Sequence, residues 1–188
     1  MGNRMGLKKI AEETVEIVKV ELEEDIFHPY FLLSENQYFD CVIDEARIPV
    51  PEKFLAEYEN GALWIEVEGV FKQLLKTTPD LWADRSAGVP THYAQMGEYF
   101  RLFPTPDKAY LIRTFNYVGT DLLTNTSNPW LTDGATWLIW ATVALLAQSG
   151  RDKNWTTFEG RATNARLTLE AKTTERENVN LEMNMGSI

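Results

Sequence analysis

The side chains of this 188-residue sequence able to do acid–base, nucleophilic or metal chemistry are two histidines, one cysteine and twenty-eight carboxylates. A structural or catalytic metal needs ligands at close, repeated spacing. His28 and His92 are far apart, and neither belongs to a His-Glu-x-x-His arrangement. Cys41 lies in an apolar run, where a lone cysteine serves as a small buried hydrophobe rather than a nucleophile. Sugar hydrolysis would need two carboxylates flanking a cleft; Glu66 and Glu68 share one face of a strand pattern, but the alternation of a solvated strand face already accounts for them. The eleven glycines are dispersed, with no phosphate-cradling loop, Walker-type lysine or nucleophile elbow. The sequence therefore predicts no catalytic residue, no cofactor and no bound metal.

The elements that would position any site follow from hydrophobic period. Leu7, Ile10, Ala11, Thr14, Ile17, Val18 and Leu22 recur at three-and-four spacing among Lys and Glu, which predicts an amphipathic helix over about 7–25, ended before the His28-Pro29 step. From about 30 to 121 the period is two. Strands are predicted at Tyr38–Ile43, Leu63–Val67, His92–Met96, Tyr99–Phe103 and Ala109–Asn116, with short helical turns at Val70–Leu75 and Thr78–Ala83. Met96-Gly97-Glu98 reads as a hairpin turn and Pro104-Thr105-Pro106-Asp107 as a rigid reversal, giving a three-stranded meander.

Helical period returns at 132–172. Thr132 or Asp133 is expected to cap a helix apolar nearly all round, which Ser149-Gly150 ends. Trp155, Phe158, Ala162, Ala165 and Leu169 continue in a second helix that forms a hairpin with the first. Trp130, Trp137, Trp140 and Trp155 read as core in preference to a ligand pocket. The segment 173–188 reads as a free polar arm.

The fold class expected is α+β. It comprises a helical bundle, made of the N-terminal helix and the C-terminal helical hairpin, with an inserted small antiparallel β-sheet and an extended C-terminal tail. Residues 1–172 form one domain in this reading.

Charge limits the partners. Lys and Arg number 18 and Asp and Glu 28, so the formal net charge is −10; residues 1 to 90 hold about eighteen of the acids and nine of the bases. An acidic surface opposes a nucleic-acid clamp but lets DNA pass without adhering. The longest apolar stretch, Trp137 to Ala147, is far short of the roughly 20 residues that span a bilayer, and Met1 to Gly6 lacks the apolar run of a signal peptide. A soluble, cytoplasmically made protein with no membrane partner is expected.

Several segments resemble, in order and spacing, the head-to-tail adaptor (connector) proteins of tailed phages, podovirus-like in character. Arg47-Ile48-Pro49-Val50-Pro51-Glu52-Lys53-Phe54-Leu55 is similar to the family's strand and Leu-Pro-x-Asp-Phe-Leu motif, with Ile48 where an aromatic is usual and Lys53 where an acid normally precedes the Phe. Val70 to Leu75, Thr78 to Leu81, Gly88-Val89-Pro90-Thr91-His92-Tyr93, Gly97 and Leu102 to Asp107 follow in order. Tyr110 to Tyr117, Asn128-Pro129-Trp130-Leu131 and the alanine-rich helix to Ala147 complete the series, which covers about 40–172.

The resemblance implies a non-catalytic virion protein at the head–tail interface. It implies a homo-oligomeric ring of about twelve copies between the portal and the tail nozzle or tube, helices around the ring axis and β-structure toward the tail. Such a ring completes the DNA channel and helps retain the genome. In such proteins a terminal arm orders on the portal, which makes Leu181, Met183, Met185 and Ile188 the portal-contact candidates here. Two other readings stay open: a tail-associated peptidoglycan hydrolase using a carboxylate pair, and a carbohydrate- or peptide-binding module using Tyr93, Tyr99 and Tyr117.

Overall fold

The computed structural model describes residues 2–58, 63–78 and 86–185, of which 2–7, 35–36 and 177–185 are described by backbone alone. The chain divides into two compact units, residues 1–32 with 119–188, and residues 33–118.

The first unit holds three helices: α1 (Gly2–Glu23), α2 (Ala135–Ser149) and α3 (Trp155–Met185). Val18, Lys19 and Glu23 of α1 are buried, at offsets of one, four and five residues that place them on one side of the helix. Beyond α1 the Asp25 carboxylate accepts the amide of Phe27 at 3.1 Å, turning the chain toward a 3-10 turn at Tyr30–Leu32. The core is aromatic. Fully buried Trp130 packs edge-on to Phe31 at 5.0 Å and tilted on Trp137 at 5.7 Å, with Leu32, Leu138 and Leu169 also buried in this unit.

Trp130 is placed by its neighbours in sequence. The Asn128 side chain accepts its amide at 2.9 Å and caps the 3-10 turn Pro129–Leu131, with Pro129 at the turn's first position. Gly134, and not Thr132 or Asp133, then stands at the N-cap of α2, with no side-chain cap. Asp133 instead accepts from the Tyr30 hydroxyl at 2.7 Å. Gly134 is required by space: a Cβ there would fall into the Trp130 ring and within 2.9 Å of Phe31.

In the second unit the long strand β11 (Tyr110–Val118) is central. It pairs antiparallel on one edge with β1 (Leu33–Cys41) and on the other with both β4 (Leu63–Val67) and β3 (Phe54–Glu57); β4 continues the sheet to β5 (Val70–Gln73). A second sheet has the order β2 (Arg47–Pro49), β9 (Tyr99–Phe103), β8 (His92–Met96), β6 (Leu75–Lys76), the last pair parallel. The strands β7 (Ala87–Gly88) and β10 (Thr105–Pro106) make a short parallel pair. Inward residues of both larger sheets, among them Ile65, Ile112, Phe100 and Leu102, form one apolar cluster.

The expected helical bundle with a small inserted sheet and an extended tail is corrected by this architecture. The fold is mixed α/β, with strands in three sheets that make a compact unit of their own. Val70–Gln73 is a strand and not a helical turn, because Glu68 and Gly69 both adopt positive φ and close a two-residue hairpin with β4. The predicted turn at Thr78–Ala83 falls outside the described residues from 79 onward.

The β8–β9 hairpin forms as expected around Gly97 at φ 62, but no meander follows. Pro104 and Pro106 have no amide to continue a ladder, and the chain crosses instead to the other sheet.

The tail correction has a simple cause. Leu169 and Thr173 are buried and anchor α3, so each further residue extends an existing helix without a new nucleation cost; 174–185 contains no Gly or Pro, and its three Glu, two Met, Arg176 and Leu181 are good helix formers.

Candidate assembly surface

The helical unit is organised by a buried polar knot. Glu23 Oε1 accepts from Trp130 Nε1 at 2.8 Å, from the Thr120 hydroxyl at 2.7 Å and from the Thr120 amide at 3.0 Å. Lys19, 3% exposed, donates to the carbonyls of Thr120 and Asp121 at 3.3 and 3.0 Å and lies 3.9 Å from Glu23 Oε2. Asn128 Nδ2 donates to the same loop at Thr120 Oγ1 and the Asp121 carbonyl. These bonds fix the rotation of α1 about its own axis, and so decide which of its residues face outward.

Two apolar surfaces result. On α1, Ile10, Ile17 and Val20 stand 54, 55 and 46% exposed. On α2, whose sequence ATWLIWATVALLAQS is almost wholly apolar, only Trp137, Leu138 and Thr142 are buried; Ile139 and Leu146 are 57 and 38% exposed. Water contact on such a helix is costly at about 25 cal/mol per Å² of apolar surface, so the surface favours a partner.

Beside it runs a groove of about 290 Å³, floored by Ala141, Ala144 and Ala162 and walled by Leu145, Trp137 and Trp155. One end holds a fork: the Arg166 guanidinium donates to both oxygens of Asp25 at 3.0 Å and to Glu170 at 2.8 Å, while its plane lies 5.7 Å from the Trp137 ring. The hydrogen bond to Glu170, followed by the charge of Asp25, pushes Arg166 further up from its ordinary value, so the fork holds its charge. At the other end is the turn between α2 and α3, bearing Arg151 and Lys153. Arg161 lies over the Trp140 ring at 4.5 Å, and none of these three cations is paired with a carboxylate among the described residues.

The β unit presents a different patch. On the outer face of the sheet, Arg113 lies 4.7 Å from the rings of Phe71 and Phe115 and 5.5 Å from Trp64, with Tyr38 across the strand pair and half exposed. The inward face ends in polar groups. Among the described residues, Thr114 Oγ1 and both amide atoms of Asn116 are buried without a partner beside Glu57, which accepts from the Tyr93 hydroxyl at 2.9 Å and from Lys76 at 3.0 Å.

The residues singled out by sequence are dispersed in this arrangement. Cys41 is buried and burial pushes its thiol up, which disfavours the thiolate. Glu66 lies on β4, but Glu68 is in the turn at φ 56, so the two do not form a pair on one strand face. Tyr93 is wholly buried, Tyr117 packs on Tyr58, and Tyr99 lies beneath Arg47, so the three tyrosines form no common platform. Of the four tryptophans read as core, Trp130 and Trp137 are buried, while Trp155 lines the groove and Trp140 stacks on Phe158.

Among the described residues no cluster of three His, Cys, Asp or Glu could hold a metal, and no helix is long and apolar enough to cross a membrane. Leu181, Met183 and Met185 lie in the α3 backbone with side chains outside the described set, and Ile188 lies outside the described residues. Sequence reasoning missed the knot around Glu23 and the outward stripe of α1; the one available signal for the stripe was that Ile10 and Ile17 are seven residues apart, offset from Val18 and Leu22. Compared with family models and with curated proteins, the chain matches none.

Proposed function

We propose that this chain is a structural subunit of a phage head-to-tail adaptor, assembling as a ring between the portal and the tail. The observation that carries the reading is α2: a helix apolar on nearly every face of which only Trp137, Leu138 and Thr142 are buried within one chain. Identical copies are the partners that satisfy such a surface without a ligand. The resembling segments support the same reading. Gly88 and Pro106 are partners in the short parallel pair, and the hairpin turns at Gly97. The net charge of −10 suits a channel wall that repels a passing phosphate backbone.

In this reading the chain performs no chemistry and has no catalytic residue or cofactor. Its partners are further copies of itself, the portal, the tail nozzle or tube, and genomic DNA in transit; its place is the virion head–tail interface. The C-terminal residues Leu181, Met183, Met185 and Ile188 are the proposed portal contacts, the first three in the last turns of α3 and Ile188 outside the described residues. Mixing the purified chain with portal rings and imaging by negative stain tests the proposal: an added ring of density on the portal supports it, and bare portals beside free monomers refute it.

A further inference from the structure

The knot that fixes α1 leaves its two long sides unlike. At 100° per residue, Val20 and Ile17 stand about 160° and 220° around the helix from Leu22. Leu22 lines the groove of its own chain, so the stripe Ile10, Ile17, Val20 points away from that groove. A ridge and a hollow on opposite sides of one unit cannot meet about a two-fold axis; they meet head to tail.

Their dimensions and charges correspond. From Ile10 to Val20 the ridge spans about 15 Å, and from Trp137 to Gln148 the groove spans about 16 Å, at 1.5 Å per residue. Beside Val20 stand Glu21 and Glu24, and beside the Gln148 end of the groove stand Arg151, Lys153 and Arg161, all exposed and none in a salt bridge among the described residues. At the opposite ends, Lys8 and Lys9 flank Ile10 but pair with Glu12 and Glu13 at 3.6 Å, so that end of the ridge is neutral, while the fork of Asp25, Arg166 and Glu170 carries one net negative charge. The charged end sets the orientation: Val20 lies toward the bases of the α2–α3 turn, which puts the neutral Ile10 end, and not Glu21 and Glu24, toward the negative fork.

We infer that the α2–α3 groove is the docking site for the α1 ridge of a second copy of this chain, a heterologous contact that builds the ring. The inference rests on the self-assembly proposed above and names its interface. Ile17 enters between Ala144 and Ala162 where small side chains leave room, and the bases at the turn pair with Glu21 and Glu24 of the neighbour.

Cysteine pairing tests it, since the native Cys41 is buried. Ile17→Cys and Ala144→Cys are placed in the full-length chain singly and together, and oxidised at high protein concentration and on portal rings. The doubly substituted chain is expected to give a ladder of disulfide-linked oligomers. The two single variants mixed are expected to give dimers only, and each alone none. Arg161→Glu should weaken association about tenfold or more, with recovery when Glu21→Arg and Glu24→Arg are added. Cross-linking by either single variant alone, or no ladder from chains seen as rings by electron microscopy, overturns the interface while leaving the ring reading intact. Chains that stay monomeric in both conditions overturn both.

Discussion

Trp130 and Glu23, 107 positions apart in sequence, meet at 2.8 Å through the indole Nε1 and one carboxylate oxygen, both residues buried. That bond joins the N-terminal helix to the loop leading into α2, and Lys19 and Thr120 complete its shell.

Removing the carboxylate would leave buried Lys19 with Glu16, at 3.9 Å, as its one remaining counter-charge among the described residues, and Trp130 and Thr120 without their acceptor. Glu23→Ala is expected to cost about 3 kcal/mol or more, which for a chain of this size lowers the melting temperature by on the order of 10 °C. Urea unfolding followed by tryptophan fluorescence measures it. An unchanged midpoint would show that the knot is not what holds α1.

Gly134→Ala is expected to destabilise by about 1–3 kcal/mol through overpacking. Its φ of −93 is open to any residue, so the whole effect comes from the collision with Trp130 and Phe31. Shaving the obstacle with Phe31→Leu in the same chain should recover part of the loss in a double-mutant cycle.

The first two effects rest on features of unequal legibility. The strands Leu63–Val67, His92–Met96 and Tyr99–Phe103 and the Gly97 turn were written in local period and turn chemistry and formed where expected, while α1, expected over about 7–25, runs from Gly2 to Glu23. Period alone merged the buried Val18 and the groove-lining Leu22 with the outward Ile10 and Ile17, because the rotation of α1 is set by Glu23 bonding to residues more than ninety positions away. The partners of β11 were likewise invisible: pairing across strands as distant as β1 and β4 depends on both faces of the sandwich, and not on any property of Tyr110–Val118 itself. The tail was misread because polarity was taken for disorder, where helix propagation from an anchored turn needs only the absence of Gly and Pro.

Thr114→Val should stabilise the β unit by about 1 kcal/mol, because the hydroxyl it removes is buried without a partner and the two side chains have the same shape. Equilibrium unfolding decides; a loss of stability would show that the hydroxyl is satisfied in solution.

Alkaline pH supplies a local probe. Burial, followed by its hydrogen bond to Asp107 at 2.6 Å, pushes the Tyr110 hydroxyl from 10.0 up to about 12. Folding thus favours the neutral phenol: the stability it contributes is complete below about pH 10 and is lost as pH rises through about 12. A spectrophotometric titration of the tyrosines should show a late-ionising group near pH 12 that is lost in Tyr110→Phe, while Tyr30, also raised by burial and by its bond to Asp133, still ionises late in that variant. Ionisation of every tyrosine near pH 10 would contradict the assignment.

The outward face of α2 gives the remaining contrast. Ile139→Glu and Leu146→Glu are expected to leave the melting temperature of the single chain almost unchanged, within about 0.5 kcal/mol as for other exposed sites, and to abolish self-association. Deleting 178–188, beyond Thr173, the last residue buried among those whose side chains are described, should leave assembly intact and remove attachment to the portal.

Electron microscopy of the purified chain mixed with portal rings bears most directly on the whole reading. Closed rings of this chain seated on the portal, lost with Ile139→Glu, are the predicted result. Portals left bare by a chain that remains monomeric at every concentration would contradict it.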